Sequence, residues 1–571
     1  MSVFEVWAPN AIDVRLEVDG TSHVMTARDG GWWASAVEQV PGQRYGFSLF
    51  DGHNWSQLVP DPRTTEQPDG VHGLSMVSDR GFKWTDHEWT GRVLPGQVLY
   101  ELHVGTFTPE GTFAGVIEKL DYLKELGVTT IELMPVQPFS GDRNWGYDGV
   151  QWHAVHEGYG GRHGLKELVN AAHNAGLAVV MDCVFNHFGP EGNYNGMFGP
   201  YTQAGSTPWG DIVNLSGFGS DAVRAYIHDA VRMWFEEFHV DGIRLDAVQT
   251  LWDPGAIHLL EQLTYLKNEI EATTGIPRVL IAESDQNDPR LVGAQQSGGY
   301  GLDGQWIDDI HHALHTLVSG EQHAYYSDFG TTEVLATTIK NVFFHAETFS
   351  TFRGRIHGRR LDTTIVPASK FVTYTTTHDQ VGNRATGDRP SMNLSPAQQV
   401  LKAAVIYSLP FTPMLFMGEE FGATTPFAFF VSHTDPELLR LTREGRLNEF
   451  KRSGWSPEEV PDPGEESTFL ASKLDWSFDS DQQQILEAYR ILLRLRRELR
   501  LARPYLEHLE VQYDEHWLMF SHEDVAFVAN FSADPVTVPV GGELVYTFTA
   551  PQVGEEETVL DAWGFALIKL G

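Results

Sequence analysis

The first part of the chain alternates apolar and polar residues in short runs. "VFEVWAP", "VRLEVDG", "WWASAV" and "YGFSLF" show this period of two, and Gly, Pro, Asn and Asp separate them. The pattern predicts short antiparallel strands with one buried and one exposed face. We therefore expect residues 1–92 to form an amino-terminal β-sandwich domain.

From Val98 onward, short apolar strands alternate with amphipathic helical stretches, which predicts a parallel sheet. Eight candidate strands give the number found in a closed (β/α)8 TIM barrel. In order they contain "VLYELHV", "VTTIELMP", "LAVVMDCV", "VDGIRLDAV", "RVLIAES", "LDGQWID", "FVTYTTTHD" and "PMLFMGEE". The alternative is a doubly wound open sheet, but no Gly-rich phosphate loop follows the first strand to favour it.

The last part of the chain returns to alternating strands. "ILEAYRILLRLRREL" (485–499) has helical spacing and predicts a helix that closes the barrel, and "VQYDEHWLMFSHEDVAFVANFS" follows with period two. A chain of 571 residues is long enough for two to four domains. We therefore predict an α/β protein with a catalytic barrel with inserted loops at 93–502 and a carboxy-terminal β-domain at 503–571.

Charge and cysteine content limit the partners. Asp and Glu number 77 against 40 Lys and Arg, a net charge of -37, so the average surface repels phosphate backbones and anionic lipids. We expect no nucleic acid, no membrane and a neutral substrate. Cys183 is the single cysteine, which excludes an internal disulfide and a zinc site built from several cysteines.

The first residues, "MSVFEVWAPN", contain no basic segment followed by an apolar stretch, and no run of about 18 uncharged apolar residues occurs in the chain. We expect a soluble cytoplasmic protein that acts as a monomer or homodimer. Aromatic residues make up 12% of the chain, and their flat rings suit stacking against sugars, although most aromatic side chains in a large protein lie in the core.

Polar residues gather where the predicted barrel strands end. In this fold the chemistry lies at the carboxyl ends of the strands, so polar residues there indicate a site. Strands three, four, five and seven carry or run into Asp182, Asn186, His187, Arg244, Asp246, Glu283, His378 and Asp379.

Arg244 and Asp246 are two residues apart, so on a strand both side chains point to the same side, here into the barrel. A buried ion pair adds little net stability, and Glu283 on the next strand makes a purely structural salt bridge the weaker interpretation. Two carboxyl groups on adjacent strand ends suit cleavage of a glycosidic bond. The arginine would keep Asp246 ionised as a nucleophile, while Glu283, partly desolvated, could stay protonated as the acid.

Three further features leave alternatives open. A metal site of Asp182, His187, Glu283 and His378 is chemically possible, but no close-spaced ligand pair on a helix supports it, so we predict no metal and no cofactor. The His pair in "DDIHHALH" (308–315) either contacts substrate or belongs to a loop against a helix N-terminus. Tyr147, in "GDRNWGYDG" after strand two, is either a stacking platform or a core residue.

Four ordered motifs carry a family resemblance. "MDCVFNH", "DGIRLDAV", "IAES" and "TTHDQ" resemble the signature regions of the α-amylase superfamily, glycoside hydrolase family 13. Small departures are Cys183 and Phe185 in place of Val and Tyr, Thr376 and Thr377 in place of Gln and Asn, and Ile310 in place of Phe. The two threonines stand beside a sugar-binding position and put its contacts in doubt, but not the catalytic residues.

The resemblance implies roles for these residues. Asp246 would be the nucleophile, Glu283 the general acid and then base, and Asp379 the stabiliser of the transition state, in a retaining reaction with the first two carboxyls about 5 to 5.5 Å apart. Tyr147 would stack beneath the glucose on the non-reducing side of the scissile bond. The other residues expected to bind substrate there are Asp182, His187, Arg244 and His378.

Longer stretches resemble one subgroup of that family, whose amino-terminal domain is immunoglobulin-like and similar to carbohydrate-binding modules. They include "YELHVGTFTPEGTF", "NHFGPEGNY", "HDQVGNRATGDR" and "GEEFGATTPFAFFVSHTD". The resemblance implies cleavage of the α-1,4 bond next to the terminal trehalose of maltooligosyl trehalose, a step of trehalose biosynthesis. The alternatives are a 1,4-α-glucan branching enzyme, another glucan-active enzyme of the superfamily, and a non-catalytic glucan-binding protein, which we would expect to lack one of the three carboxylates.

Contacts on the leaving-group side are predicted only from position in loops on the active face. The candidates are Trp209, Asp308, Asp309, Glu419, Phe427 and His433.

Overall fold

A computed structural model of the protein describes residues 3–451 and 459–571. The amino-terminal domain contains two antiparallel sheets with the strand orders β1-β5-β4 and β3-β2-β6-β7. Their strands are β1 (Val3–Trp7), β2 (Asp13–Val18), β3 (Thr21–Val24), β4 (Thr26–Ala27), β5 (Trp32–Glu38), β6 (Arg44–Phe50) and β7 (Ser75–Met76). On β2 the residues Val14, Leu16 and Val18 are buried, which is the period of two seen in the sequence.

The eight predicted strands close into a parallel barrel in the order β10-β13-β14-β15-β18-β19-β8-β9, so the predicted fold class is confirmed. The pairs β11–β12 and β16–β17 are antiparallel hairpins inserted between barrel strands. The strands of this region are β8 (Leu99–Leu102), β9 (Thr130–Leu133), β10 (Ala178–Cys183), β11 (Thr202–Thr207), β12 (Gly210–Val213), β13 (Gly242–Leu245), β14 (Val279–Ala282), β15 (Gly304–Trp306), β16 (Thr348–Ser350), β17 (Arg355–His357), β18 (Phe371–Tyr374) and β19 (Thr412–Phe416).

Helices surround the barrel because each buries one apolar stripe. On α6 this stripe contains Val223, Ile227, Ala230 and Trp234, spaced three or four residues apart. The helices are α1 (Val104–Phe107), α2 (Phe113–Ile117), α3 (Leu120–Leu126), α4 (Gly161–Ala175), α5 (Asn195–Phe198), α6 (Ser220–Glu236), α7 (Leu259–Thr274), α8 (Asp308–Ser319), α9 (Thr332–Asn341), α10 (His378–Gly382), α11 (Pro396–Ser408), α12 (Pro436–Lys451), α13 (Glu466–Ala471) and α14 (Ser480–Glu498).

Helix α14 contains the segment predicted to close the barrel. It begins with a capping box in which the Asp479 side chain and Gln482 satisfy each other's backbone N–H groups, and it packs against α11 and α3. Helix α8 contains the "DDIHHALH" segment, so the His pair there is helical.

The carboxy-terminal region forms two further antiparallel sheets, in the orders β20-β21-β22-β27-β24 and β23-β26-β25. Their strands are β20 (Leu509–Tyr513), β21 (Trp517–His522), β22 (Val525–Asn530), β23 (Val536–Val538), β24 (Glu543–Tyr546), β25 (Gln552–Val553), β26 (Thr558–Leu560) and β27 (Phe565–Lys569). Every residue of the central strand β22 is buried. Across 3–451 and 459–571, no helix has the length and apolar character needed to cross a membrane.

Candidate active site

One guanidinium joins three carboxyl groups at the carboxyl end of the barrel. The Nη1 atom of Arg244 lies 2.7 Å from Oδ2 of Asp182 and 2.8 Å from Oδ1 of Asp246. Its Nη2 atom lies 3.8 Å from Oε2 of Glu283. Arg244 is only 1% exposed, so these contacts form in a low dielectric and are strong. Arg244 and Asp246 therefore point to the same side, into the barrel, as their two-residue spacing predicts.

The carboxyl of Asp246 receives two donors, Arg244 on Oδ1 and the Nδ2 group of Asn186 on Oδ2 at 2.7 Å. Both contacts suit an ionised carboxylate. The next residue, Ala247, has a φ of 41°, in the left-handed region that non-glycine residues seldom adopt. That turn directs the Ala247 N–H onto Oε2 of Glu283 at 2.7 Å, which links the two candidate catalytic residues.

The environment of Glu283, unlike that of Asp246, favours the protonated form of its carboxyl. Burial raises the pKa of its carboxyl to about 8; Arg244 opposes the shift, while Asp246 and Asp379 add to it by repulsion. Glu283 therefore keeps its proton at neutral pH. A raised pKa suits the role of proton donor that the sequence predicts for Glu283.

His378 and Asp379 are the first residues of helix α10, which follows β18 after the short connection 375–377. The Tyr147 ring stacks on the His378 ring with centroids 5.2 Å apart, and the Tyr147 hydroxyl donates to Asp182 at 2.7 Å. The Nε2 atom of His378 lies 3.5 Å from Oδ1 of Asp379. Although burial disfavours the charged ring, Asp379 and Glu101 raise the pKa of His378 to about 9. The site thus holds two cations, Arg244 and His378, among its carboxyls.

A cavity of about 700 Å³ opens over these groups. Asp182 and Arg244 lie beneath it, buried at 2% and 1% exposure. The sequence-predicted residues that line the cavity are Tyr147, His187, Trp209, Asp246, Glu283, Asp308, His378, Asp379 and His433.

The structure places three of the predicted leaving-group contacts away from the lining of this cavity. The Asp309 carboxylate turns inward and accepts hydrogen bonds from Asn287 and from the backbone N–H of Phe344. Glu419 is buried against Thr375, whose hydroxyl lies 3.0 Å from its carboxylate. Phe427 is fully buried.

Each of these three side chains contacts a neighbouring part of the protein instead of lining the cavity. Phe427 stacks on Trp145 with centroids 5.3 Å apart, under the cavity wall. Asp309 ties helix α8 to the segment before hairpin β16–β17 through those backbone contacts. The hydrophobic periodicity of the sequence and the position in the chain do not distinguish such residues from Asp308, which does face the cavity.

Other lining residues were not predicted from the sequence. The turn of hairpin β16–β17 contributes Phe352 and Arg353, and Arg353 donates to Asp285 at 2.8 Å. Tyr325 also lines the cavity, as do Leu438, Thr442, Arg446 and Glu449 of helix α12. Of the predicted His pair in "DDIHHALH", His312 lines the cavity and His311 does not. "TFSTFRGRIH" has the alternation of a hairpin, but nothing in it tells which part of the barrel the turn reaches.

The four residues considered as metal ligands are engaged otherwise. Arg244 and Tyr147 occupy Oδ2 of Asp182, and Glu101 accepts from Nδ1 of His378 at 2.5 Å. Within the described ranges, no group of three or more His, Cys, Asp and Glu side chains is arranged to hold a metal ion.

The barrel and its mouth of carboxyl groups are typical of glycosidases, and comparison with known families agrees. Residues 64–199 match the alpha amylase catalytic domain, and residues 2–63 match carbohydrate-binding module 48, the isoamylase N-terminal domain. Residues 504–567 match a domain of unknown function, DUF3459. The protein is a glycosidase of the α-amylase superfamily.

Full-length relatives define the family more closely. Malto-oligosyltrehalose trehalohydrolase of Mycobacterium tuberculosis is 48% identical, covering 100% of this chain and 99% of that protein. The enzyme of the same name from Rhizobium sp. strain M-11 is 49% identical over 94% of this chain and 92% of its own. A crystal structure from Salmonella typhimurium, described as a putative alpha amylase, has a TM-score of 0.90 and 36% identity, covering 100% and 97% of the two chains. The chain belongs to the malto-oligosyltrehalose trehalohydrolase family.

The branching-enzyme alternative has weaker support. The 1,4-alpha-glucan branching enzyme of Bacillus caldolyticus is 31% identical, over 53% of this chain and 50% of its own. The likeness thus covers about half of each protein, whereas the trehalohydrolases align along nearly their whole length.

Proposed function

We propose that the protein hydrolyses the α-1,4-glucosidic bond next to the terminal trehalose of maltooligosyl trehalose and releases trehalose with retention of configuration. The observation that carries the chemistry is the shared contact of Asp246 and Glu283 with Arg244, from adjacent strands. The carboxyl of Asp246 accepts hydrogen bonds from two donors, whereas burial raises the pKa of Glu283 to about 8. These different environments suit Asp246 to act as the nucleophile and Glu283 to act as the acid.

The reaction follows from these two protonation states. The Asp246 carboxylate attacks the anomeric carbon while the bond to the leaving oxygen breaks, and Glu283 gives that oxygen its proton. The products of this step are a glycosyl ester on Asp246 and the free leaving group. Glu283, now ionised, takes a proton from water, whose oxygen attacks the anomeric carbon, breaks its bond to Asp246 and so restores the Asp246 carboxylate.

We assign the remaining groups to the sugar on the non-reducing side and to the transition state. Tyr147 and His378 present a stacked pair of rings at the cavity, and His187 lies beside them, its Nε2 group donating to the Tyr147 carbonyl at 2.9 Å. Asp379 is 43% exposed at its side chain and faces the same cavity, so its charge can meet the positive character that develops at the anomeric carbon.

Two chain segments support trehalose as the leaving group. "HDQVGNRATGDR" contributes Gln380 and Asn383 to the cavity lining, and "GEEFGATTPFAFFVSHTD" contributes Phe429 and His433. Polar groups of this kind can discriminate between a second glucose linked α,α-1,1 and one linked α-1,4, because a wrong sugar leaves them unpaired. The substrate named by the full-length relatives gives the same assignment.

Product identification tests the proposal. The enzyme is incubated with maltotriosyl trehalose, and the products are separated and identified with the anomeric configuration followed at early times. Trehalose together with α-configured maltotriose is expected. Glucose, or maltose instead of trehalose, would refute the substrate assignment, and new α-1,6 branch points on amylose would identify a branching enzyme. The cytoplasmic location, the lack of nucleic-acid partners and the monomeric or dimeric state stay predictions.

A further inference from the structure

Two additional carboxyl groups lie inside the barrel below the cavity. Glu101 on β8 and Glu132 on β9 are register partners, and each is 1% exposed. Neither of them lines the cavity. A buried carboxyl is costly unless it is paired or neutral, so both need a physical explanation.

Glu101 is paired with His378 through both of its oxygens. Its Oε1 atom lies 2.5 Å from Nδ1 of His378, and its Oε2 atom accepts the backbone N–H of His378 at 3.1 Å. A carboxylate only accepts, so Nδ1 carries a proton. The second contact fixes the backbone at the first residue of α10, which is next to Asp379.

Nε2 of His378 lies 3.5 Å from Oδ1 of Asp379, so each ring nitrogen has a carboxyl oxygen beside it, an arrangement that favours the imidazolium. Three aromatic rings contact the His378 ring, with centroids at 5.2 Å for Tyr147, 5.7 Å for Trp145 and 6.3 Å for Trp306. The titratable and charged groups around it are Glu101, His103, Glu132, Tyr147, Asp182, Arg244 and Asp379.

Glu132 differs from its register partner. Burial, followed by repulsion from Glu101, raises the pKa of Glu132 well above its usual value. Among residues 3–451 and 459–571, its Oε2 atom has no hydrogen-bond partner. Of the two facing carboxyls, Glu101 alone contacts both N–H groups of His378, through its two oxygens.

We propose that Glu101 is a positioning residue that holds His378 as an imidazolium, with the Nε2–H group directed at Asp379 and the cavity. A fixed cation at this place would orient the Asp379 carboxylate and donate to the sugar without touching the bond that breaks. The inference rests on the glycosidase chemistry proposed above and adds to it a residue that acts entirely through another.

The test compares Glu101→Gln with Glu132→Gln, two equally buried substitutions on neighbouring strands. Turnover of α-maltotriosyl fluoride is measured from pH 5 to 10, because fluoride departs without a proton from Glu283 and the alkaline limb then reports His378. Glu132→Gln should keep kcat within about twofold and leave the alkaline limb in place. Glu101→Gln should lower kcat about 100-fold with KM changed less than about threefold, and move the alkaline limb down by about one pH unit or more.

Glu101→Asp keeps the charge but withdraws it by one methylene, so it should lie between wild type and Glu101→Gln in both kcat and the position of the limb. It also serves if Glu101→Gln does not fold by circular dichroism. An unmoved alkaline limb in either Glu101 variant, or equal behaviour of Glu101→Gln and Glu132→Gln, would overturn the proposal. The fluoride contains no trehalose, so failure of the substrate assignment would leave this result intact.

Discussion

Arg244 and Asp246 stand two residues apart at the carboxyl end of the barrel strand β13, and Nη1 of the arginine lies 2.8 Å from Oδ1 of the aspartate. The same guanidinium reaches Asp182 at 2.7 Å and Glu283 at 3.8 Å. A buried pair of this kind contributes little to stability, because desolvation cancels most of the attraction. The guanidinium of Arg244 acts on protonation, because its positive charge favours the ionised form of the carboxyls beside it. Glu283 lies farther away, at 3.8 Å, and its raised pKa keeps it protonated at neutral pH.

The first prediction concerns the two proposed reacting carboxyls. Asp246→Asn and Glu283→Gln should each lower kcat by about 10³-fold or more, since a covalent nucleophile and a proton donor are lost. Thermal unfolding should remain cooperative, because both side chains keep their shape. Turnover of a homogeneous Asp246→Asn preparation at a tenth of the wild-type rate would rule out the nucleophile assignment.

The second prediction is the alkaline limit of activity on the natural type of substrate. Glu283 must be protonated to act as the acid, and its pKa is raised to about 8, so kcat/KM should fall as the pH rises through about 8 and be retained below it. A pH profile with an oligosaccharide substrate measures this directly. A profile that stayed flat to pH 10 would be incompatible with Glu283 as the acid.

The third prediction separates two neighbouring aspartates. Asp309→Ala leaves the N–H groups of Phe344 and His345 without their acceptor, and should lower the free energy of unfolding by about 2 to 3 kcal/mol with little change in KM. Asp308→Ala removes a carboxylate that faces the cavity and accepts from Tyr374 and Gln380. It should raise KM or lower kcat. Denaturant titration and steady-state kinetics on both variants measure these two effects. A loss of stability in Asp308→Ala together with a kinetic change in Asp309→Ala would contradict this assignment of the two residues.

The fourth prediction is that turnover needs no metal ion. Oδ2 of Asp182 is engaged by Arg244 and Tyr147, Nδ1 of His378 lies against Glu101, and the charges at the mouth are offset by Arg244 and His378. Prolonged treatment with EDTA should leave kcat unchanged. Complete loss of activity that calcium or zinc restores would contradict this, whereas a lower Tm alone would indicate an ion away from the chemistry.

Much of the fold is readable from the sequence because periodicity is a local property. The strand β13 is apolar apart from Arg244, and "DGIRLDAV" shows Asp246 directly after it. The same signal occurs in "VLYELHV" and "TTIELMP", where Glu101 and Glu132 interrupt apolar strands. The sequence does not show that Glu101 pairs with His378, which is 277 residues away along the chain.

The walls of the cavity are less predictable for a related reason. Phe352 and Arg353 reach it only because hairpin β16–β17 folds back towards Asp285, a contact between segments 68 residues apart. Asp308 and Asp309 are adjacent on one helix, and only the helix orientation sends the first to the cavity and the second to Phe344. Such outcomes depend on tertiary packing rather than on local pattern.

The most direct test of the central claim is the ratio of kcat/KM for maltotriosyl trehalose and maltopentaose, two five-glucose substrates that differ only in the last linkage. Both are measured at equal concentration with identified products. A preference of at least about tenfold for maltotriosyl trehalose, with trehalose and maltotriose as its products, is the expected result. Equal kcat/KM values on the two substrates would contradict the account and would indicate a general amylase.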